Sequence, residues 1–300
     1  MKNNSTLLKL LICTNVFLLI AVLAAVVLIL NSSTPQKADE PQAEIEQTIT
    51  PTSEPVLEKI KKPTLKKFLK TAVSPVGSTM YVYGGGWNEA DTGAGKYAVS
   101  IGVAEEWRDF YEEQDSGYDS SLHRYKINKG LDCSGYIGWA VYNTLETENG
   151  KDGYVFFAEE FADKLSGLGF GEKIEKNNIS EYKAGDIMSS QSDSHAWICL
   201  GQCSDGSVVF VHSSPPGVRI CGTACPDGKR DSEAVSLATQ YMSSEFPDWY
   251  GKYPDCFKGL SYLTNYSQFR WYTGENGVID DPDGYSQMSA SEILNDIFNE

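Results

Sequence analysis

The sequence predicts an α+β domain, helices first and an antiparallel sheet after, and three observations carry that expectation. In "CSGYIGWAVYNTL" at 133–145, Ile137, Val141 and Leu145 recur at helical spacing with Ala140 on the same side. From residue 195 the period changes to two, in the short runs "HAWICLG", "SVVFVHSS" and "GVRICGT". The turn signals "SDG" and "SPPG" separate these runs, so the strands follow one another as a meander. Helices followed by consecutive strands bury their apolar faces by packing as a helical layer on an antiparallel sheet.

The chain divides before that domain begins. Residues 10–30, "LLICTNVFLLIAVLAAVVLIL", carry no charge and exceed the ~18 residues that mark a membrane span. Lys2 and Lys9 precede the run, and Asp39, Glu40, Glu44 and Glu46 follow it, which puts 1–9 in the cytoplasm and the rest outside. A cleaved signal peptide, giving a secreted protein, is the alternative; its apolar core would be shorter and end at an A-x-A-like site, which "LILNSSTPQ" lacks. Cys13 reads as a small apolar residue of that span rather than a lipidation site. Residues 31–63 are rich in Pro, Gln, Thr, Ser and Glu and cannot bury enough surface to offset their ordering entropy, so they read as a disordered extracytoplasmic stalk.

Residues 64–300 form the folded part. A formal net charge of -16 excludes nucleic acid as a partner, because phosphate contacts need clustered Lys and Arg. The basic stretch at 59–70 reads as the solvated face of a short helix, "TLKKFLKTAVSP", stopped near Pro75. "MYVYGGGWN" follows as a short strand or turn, and a polar, aromatic-bearing stretch over 87–130 holds a possible helix at "VAEEWRDFYEEQ". A further helix is expected at 155–166, where Phe157, Phe161 and Leu165 lie four apart and Gly167 caps the end. Residues 222–300 are turn-rich and close in a helix with a capping box, Ser289 and Glu292.

The chemistry centres on Cys133. A thiol at a helix start faces unpaired N–H groups and the positive end of the dipole, which lower its pKa and favour the nucleophilic thiolate. Ser134 and Gly135 are small and leave room for a substrate carbonyl to reach the backbone N–H groups, an oxyanion site. The bland alternative is a buried small hydrophobe. Of three histidines, His195 and His212 fall on consecutive strands, where neighbouring side chains come within ~5 Å. His195 would then deprotonate Cys133 while His212 holds the imidazole tautomer. His123, in "SSLHRYK", reads as a loop residue.

With these residues in place the chain resembles the NlpC/p60 cell-wall cysteine peptidases. "DCSG" at 132–135 is similar to the family's nucleophile motif, "AGDIMSS" at 184–190 to its Gly-Asp strand start, and "SHAWICLG" to the strand of the catalytic histidine. "VVFVHSS" resembles the strand of the orienting residue, and "YVYGGG" at 81–86 the Tyr-x-x-Gly-Gly segment, which implies an oxyanion-lining role for Tyr81. The resemblance covers about 64–222. It implies a papain-like fold and a cysteine endopeptidase that hydrolyses peptidoglycan stem peptides at the D-γ-glutamyl–diamino acid bond, without metal or other cofactor. An N-acetylmuramoyl-L-alanine amidase, a thiol acyltransferase on the same scaffold and a non-catalytic wall-binding module are the alternatives. The chain departs from the family pattern in an insertion at about 87–130 beside the cleft, an extension at about 222–300, and Trp197 next to the catalytic histidine.

The remaining cysteines lie outside the membrane on this topology, which favours disulfides, for example Cys203 with Cys221 across adjacent strand ends. Zinc held by the C-x₃-C pairs at 199–203 and 221–225 is disfavoured, since the same strands carry the catalytic residues. "DDPDG" at 280–284 fails as an EF-hand loop, because Ile279 and Ala290 fall at ligand positions, and reads as a turn.

Overall fold

Thr64 opens the domain because its side chain accepts a hydrogen bond from the Lys67 N–H, one of the donors a helix start leaves unpaired. The helix it caps, α1 (Leu65–Val73), buries Leu65, Phe68, Leu69 and Ala72 on one face and leaves the lysines outside. The computed structural model describes residues 62–86, 102–126, 128–145 and 154–299, all within one unit, Lys59–Glu300. The apolar run at 10–30 and most of the stalk lie outside the described residues. Among the described residues no helix is long and apolar enough to cross a membrane.

Seven further α-helices follow among the described residues: α2 (Glu105–Glu112), α3 (Cys133–Leu145), α4 (Phe161–Gly167), α5 (Glu233–Glu245), α6 (Pro247–Lys252), α7 (Ser261–Thr264) and α8 (Ala290–Phe298). α3 is buried on all sides rather than along one stripe, because α1 and the sheet pack against it and Trp107 of α2 meets Trp139 edge-on at 5.9 Å. The helix expected at 155–166 begins later, after a 3₁₀ turn at Ala158–Glu160, and Phe157 lies exposed instead of in the apolar stripe. Gly167 is the last helical residue; the left-handed position beyond the end belongs to Gly169, at φ 76°. The capping box at Ser289 forms as expected, and Asp281 of "DDPDG" accepts from the N–H groups of Tyr285 and Ser286 in a turn.

The sheet has seven strands: β1 (Gly171–Ile174), β2 (Ile187–Ser190), β3 (His195–Gln202), β4 (Val208–Ser214), β5 (Gly217–Thr223), β6 (Phe257–Lys258) and β7 (Ser267–Trp271). Their spatial order is β1-β7-β2-β3-β4-β5-β6, antiparallel except for the β5–β6 pair. The expected meander is therefore the centre of the sheet. The extension at 222–300 is part of it, since β7 sits between β1 and β2 with Phe269 opposite both Lys173 and Ile187.

Alternation along β3 and β4 separates two cores. Ala196, Ile198, Leu200, Val209 and Val211 face the helices. Trp197, Cys199, Val208 and Phe210 face the other way, where Leu263 and Tyr266 cover them. The Gly-Asp strand start has a physical task here. Asp186 is buried and receives the Arg270 guanidinium at 3.0 and 2.8 Å and the Lys183 N–H at 2.7 Å, tying the turn before β2 to β7. Removing the cation strands a buried carboxylate. Arg270→Ala is expected to lower the unfolding free energy by about 3 kcal/mol in urea titrations, and Asp186→Ala combined with it to cost less than the sum.

Candidate active site

Asp132 builds the helix start that carries Cys133. One of its carboxylate oxygens accepts from the Gly135 N–H and the Ser134 hydroxyl, both at 2.8 Å, and the other accepts from the Gly84 N–H at 3.1 Å. Its own N–H donates to the Gly85 carbonyl at 2.7 Å. The glycine-rich segment and the start of α3 are thus joined by this side chain, alongside the backbone bonds of Leu131 to Met80 and of Val82 to Leu131. Gly135 is required by this junction, because a Cβ there would lie 2.3 Å from the Gly85 carbonyl oxygen. Its smallness serves this backbone packing.

Cys133 is the first residue of α3 and is buried. Its sulfur lies 3.8 Å from the Ser194 carbonyl, and the Ala196 N–H also points at it, so it rests against the backbone on both sides of His195. Ser194 adopts φ 45°, a left-handed conformation costing about 1 kcal/mol in a non-glycine residue, at the turn that aims this carbonyl. His195 and His212 meet as expected: Nε2 of His195 is 2.9 Å from Nδ1 of His212, with the rings edge to face at 5.1 Å. His195 is half-buried and His212 fully buried.

Cys133, His195 and Tyr81 line one cavity of about 350 Å³, together with Asp193, Ser194, Ser214, Pro215, Ser261, Tyr262 and Tyr266. Ser134 is not among the lining residues, because its hydroxyl turns to Asp132. Trp197 is buried in the outer layer and does not line the cavity; it backs Tyr262 and Tyr266 at ring distances of 6.4 and 5.8 Å. The described part of the insertion supplies no wall either. It supports Tyr81 from behind, with the Tyr118 hydroxyl donating to the Tyr81 carbonyl at 2.7 Å. His123 stacks on Tyr118, apart from the other two histidines.

The wall comes instead from the C-terminal extension. Tyr262 packs edge-on to both histidines, at 5.8 and 5.9 Å, and lies against Tyr266. Asp193 is held at the rim by Asn265. Both tyrosines fall in "SYLTNYS", four apart, Tyr262 within α7 and Tyr266 just past its end.

Electrostatically the site differs from the expected thiolate. Burial and the neighbouring Asp132 carboxylate push the Cys133 thiol up to about 12, outweighing the N–H groups of Ala196, Ser134 and Cys133 that draw it down. Loss of water holds His195 down to about 3, helped by Lys258 and Arg219, and holds His212 well below the usual imidazole range. At neutral pH a protonated thiol therefore shares the cavity with the neutral imidazole of His195, behind which the buried His212 is neutral too.

The six cysteines among the described residues are all free. Cys203 and Cys221 do not pair, because Cys203 belongs to the helix-side core and Cys221 to the outer one. The donor group that comes together is Cys203, Asp205 and Glu233 rather than the C-x₃-C pairs. Both of its carboxylates already serve as caps: Asp205 accepts from the Ser207 and Glu233 N–H groups, and Glu233 from the Ser204 N–H and hydroxyl.

Comparison of the chain with family models, with curated proteins and with solved structures gives no match. The resemblance to the NlpC/p60 peptidases rests on the order of its motifs.

A protonated resting thiol has a kinetic signature. Alkylation of Cys133 by iodoacetamide, followed by peptide mapping, is expected to accelerate about tenfold per pH unit between about pH 7 and pH 10, as the thiolate fraction grows. A rate that is flat across that range would mean a preformed thiolate–imidazolium pair.

Proposed function

We propose that the chain is a cysteine peptidase with an NlpC/p60-like fold that hydrolyses peptidoglycan stem peptides at the D-γ-glutamyl–diamino acid bond. The observation that carries this reading is one cavity lined by Cys133, His195 and Tyr81, with His212 bonded to Nε2 of His195. On this reading residues 10–30 anchor the protein and residues 64–300 work outside the membrane.

The mechanism follows from the neutral resting pair. As the substrate carbonyl enters, the Cys133 sulfur forms the S–C bond while its proton passes to Nδ1 of His195. Proton transfer accompanies attack, since neither partner is ionised beforehand. The Cys133 N–H at the helix start and the Tyr81 hydroxyl stabilise the oxyanion. Collapse expels the diamino acid amine, which takes the proton from His195. Water, deprotonated by His195, then attacks the thioester and releases the glutamyl carboxylate and the free thiol. His212 keeps the His195 ring aligned throughout, and Tyr262 closes the cavity against bulk water.

Digestion of purified peptidoglycan by the detergent-solubilised full chain, with mass analysis of the products, tests this reading. Wild type is expected to release fragments bearing a new amine on the diamino acid, and Cys133→Ala to lower the rate at least about 10³-fold. Equal release by Cys133→Ala would sink the nucleophile assignment. Fragments cut next to N-acetylmuramate would redirect the reading to an amidase.

A further inference from the structure

The two-histidine contact leaves one nitrogen unexplained. His212 is fully buried, and its Nδ1 faces His195, so Nε2 must find its partner inside the protein. That partner is the sulfur of Cys221 on β5, at 3.6 Å, within the range of an N–H···S hydrogen bond. Cys221 is itself fully buried, two residues beyond Arg219, which pairs with His212 across the β4–β5 ladder.

The direction of each bond in this chain decides whether His195 works as a base. For its Nδ1 to take a proton, its Nε2 must carry the hydrogen and donate to His212 Nδ1. His212 must then carry its own hydrogen on Nε2 and donate it to the Cys221 sulfur. The reverse arrangement, with the Cys221 thiol donating to His212, would place a hydrogen on Nδ1 of His195 and leave no lone pair for the nucleophile's proton. We propose that Cys221 is a positioning residue that accepts the His212 Nε2–H bond and thereby fixes the tautomers of both histidines. The inference rests on the reading of His195 as general base.

The surroundings favour the accepting role. Arg219 and Lys258 are the cations that act on His212 and Cys221, and Asp255 is an anion that acts on the sulfur. Arg219 is almost fully buried, donates to the Ser214 and Gly217 carbonyls, and can only donate to a neighbouring sulfur. Tyr262 covers the His212 ring from the cavity side, at 5.9 Å. A carboxylate is the usual orienting partner of a catalytic imidazole. In this chain a second imidazole takes that place, and a thiol sulfur on the next strand is its own partner.

The test uses the full chain labelled with ¹⁵N at its three histidines. Ring-nitrogen shifts separate protonated from unprotonated positions, and a His123 variant assigns the spectrum. The wild type is expected to show hydrogen on Nε2 of both His195 and His212. Cys221→Ala is expected to mix the His212 tautomers and lower kcat about tenfold with KM changed less than about twofold, while Cys221→Ser restores both. Wild-type His212 protonated on Nδ1 overturns the proposal, and that spectrum decides even if the alanine variant fails to fold. An alanine variant with unchanged tautomers and kcat, or a serine variant as impaired as alanine, overturns it too. Failure of the underlying reading shows separately, as hydrolysis that survives His195→Ala.

Discussion

The Asp132 carboxylate is the constraint on which the rest of the site depends. It saturates donors from two segments that are far apart in sequence, the Gly84 turn and the first turn of α3. A helix start always leaves N–H groups to be paired, and the N-cap position is where a carboxylate does so most effectively. Here the second oxygen is used to draw in a neighbouring loop. Together with the backbone bonds of Leu131 to Met80 and of Val82 to Leu131 it holds the Tyr81 segment beside the start of α3, and the bare Cα of Gly135 lets the two backbones close to contact.

The same carboxylate changes the chemistry of its neighbour. Half-buried beside Cys133, it adds its negative charge to the cost of desolvation and keeps the thiol protonated. The helix-start effect operates, as the N–H contributions from Cys133 and Ser134 attest, but it loses to the two larger influences. A partial dipole charge is about half an elementary charge, spread over several peptide groups, whereas Asp132 is a whole charge one residue away. On the proposed reading the thiol is activated at the moment of attack, by His195, rather than in advance.

Two segments outside the family resemblance divide the labour around the cleft. The stretch at 102–126 stands behind Tyr81 and packs on α3 and α6, with Tyr111 stacked on Trp249 and the Tyr253 hydroxyl donating to the Asp115 carbonyl. The C-terminal part supplies a strand to the middle of the sheet and the aromatic wall to the cavity. The extension is therefore structural and site-forming at once. Its strand is tied down through Arg270 and Asp186, so the wall of the site and the frame of the sheet share one fastening.

Local pattern determined much of this protein from sequence alone. Period-two alternation put His195 with Trp197 and His212 with Phe210 on one face, and helical spacing located α3 and with it a helix start near Cys133. Each of these is a property of residues within a few positions of one another. Tertiary structure alone decided the rest. Which strand enters between β1 and β2 depends on pairing across about 80 residues, and the short alternation in "SQFRW" does not specify its partner. The wall at Tyr262 and Tyr266 follows from that pairing, because α7 immediately precedes β7. Cys203 and Cys221 stay apart because a strand has two faces, a fact their proximity in sequence to adjacent strand ends conceals. The ionisation of Cys133 was decided last of all, since it depends on how much water the folded chain excludes.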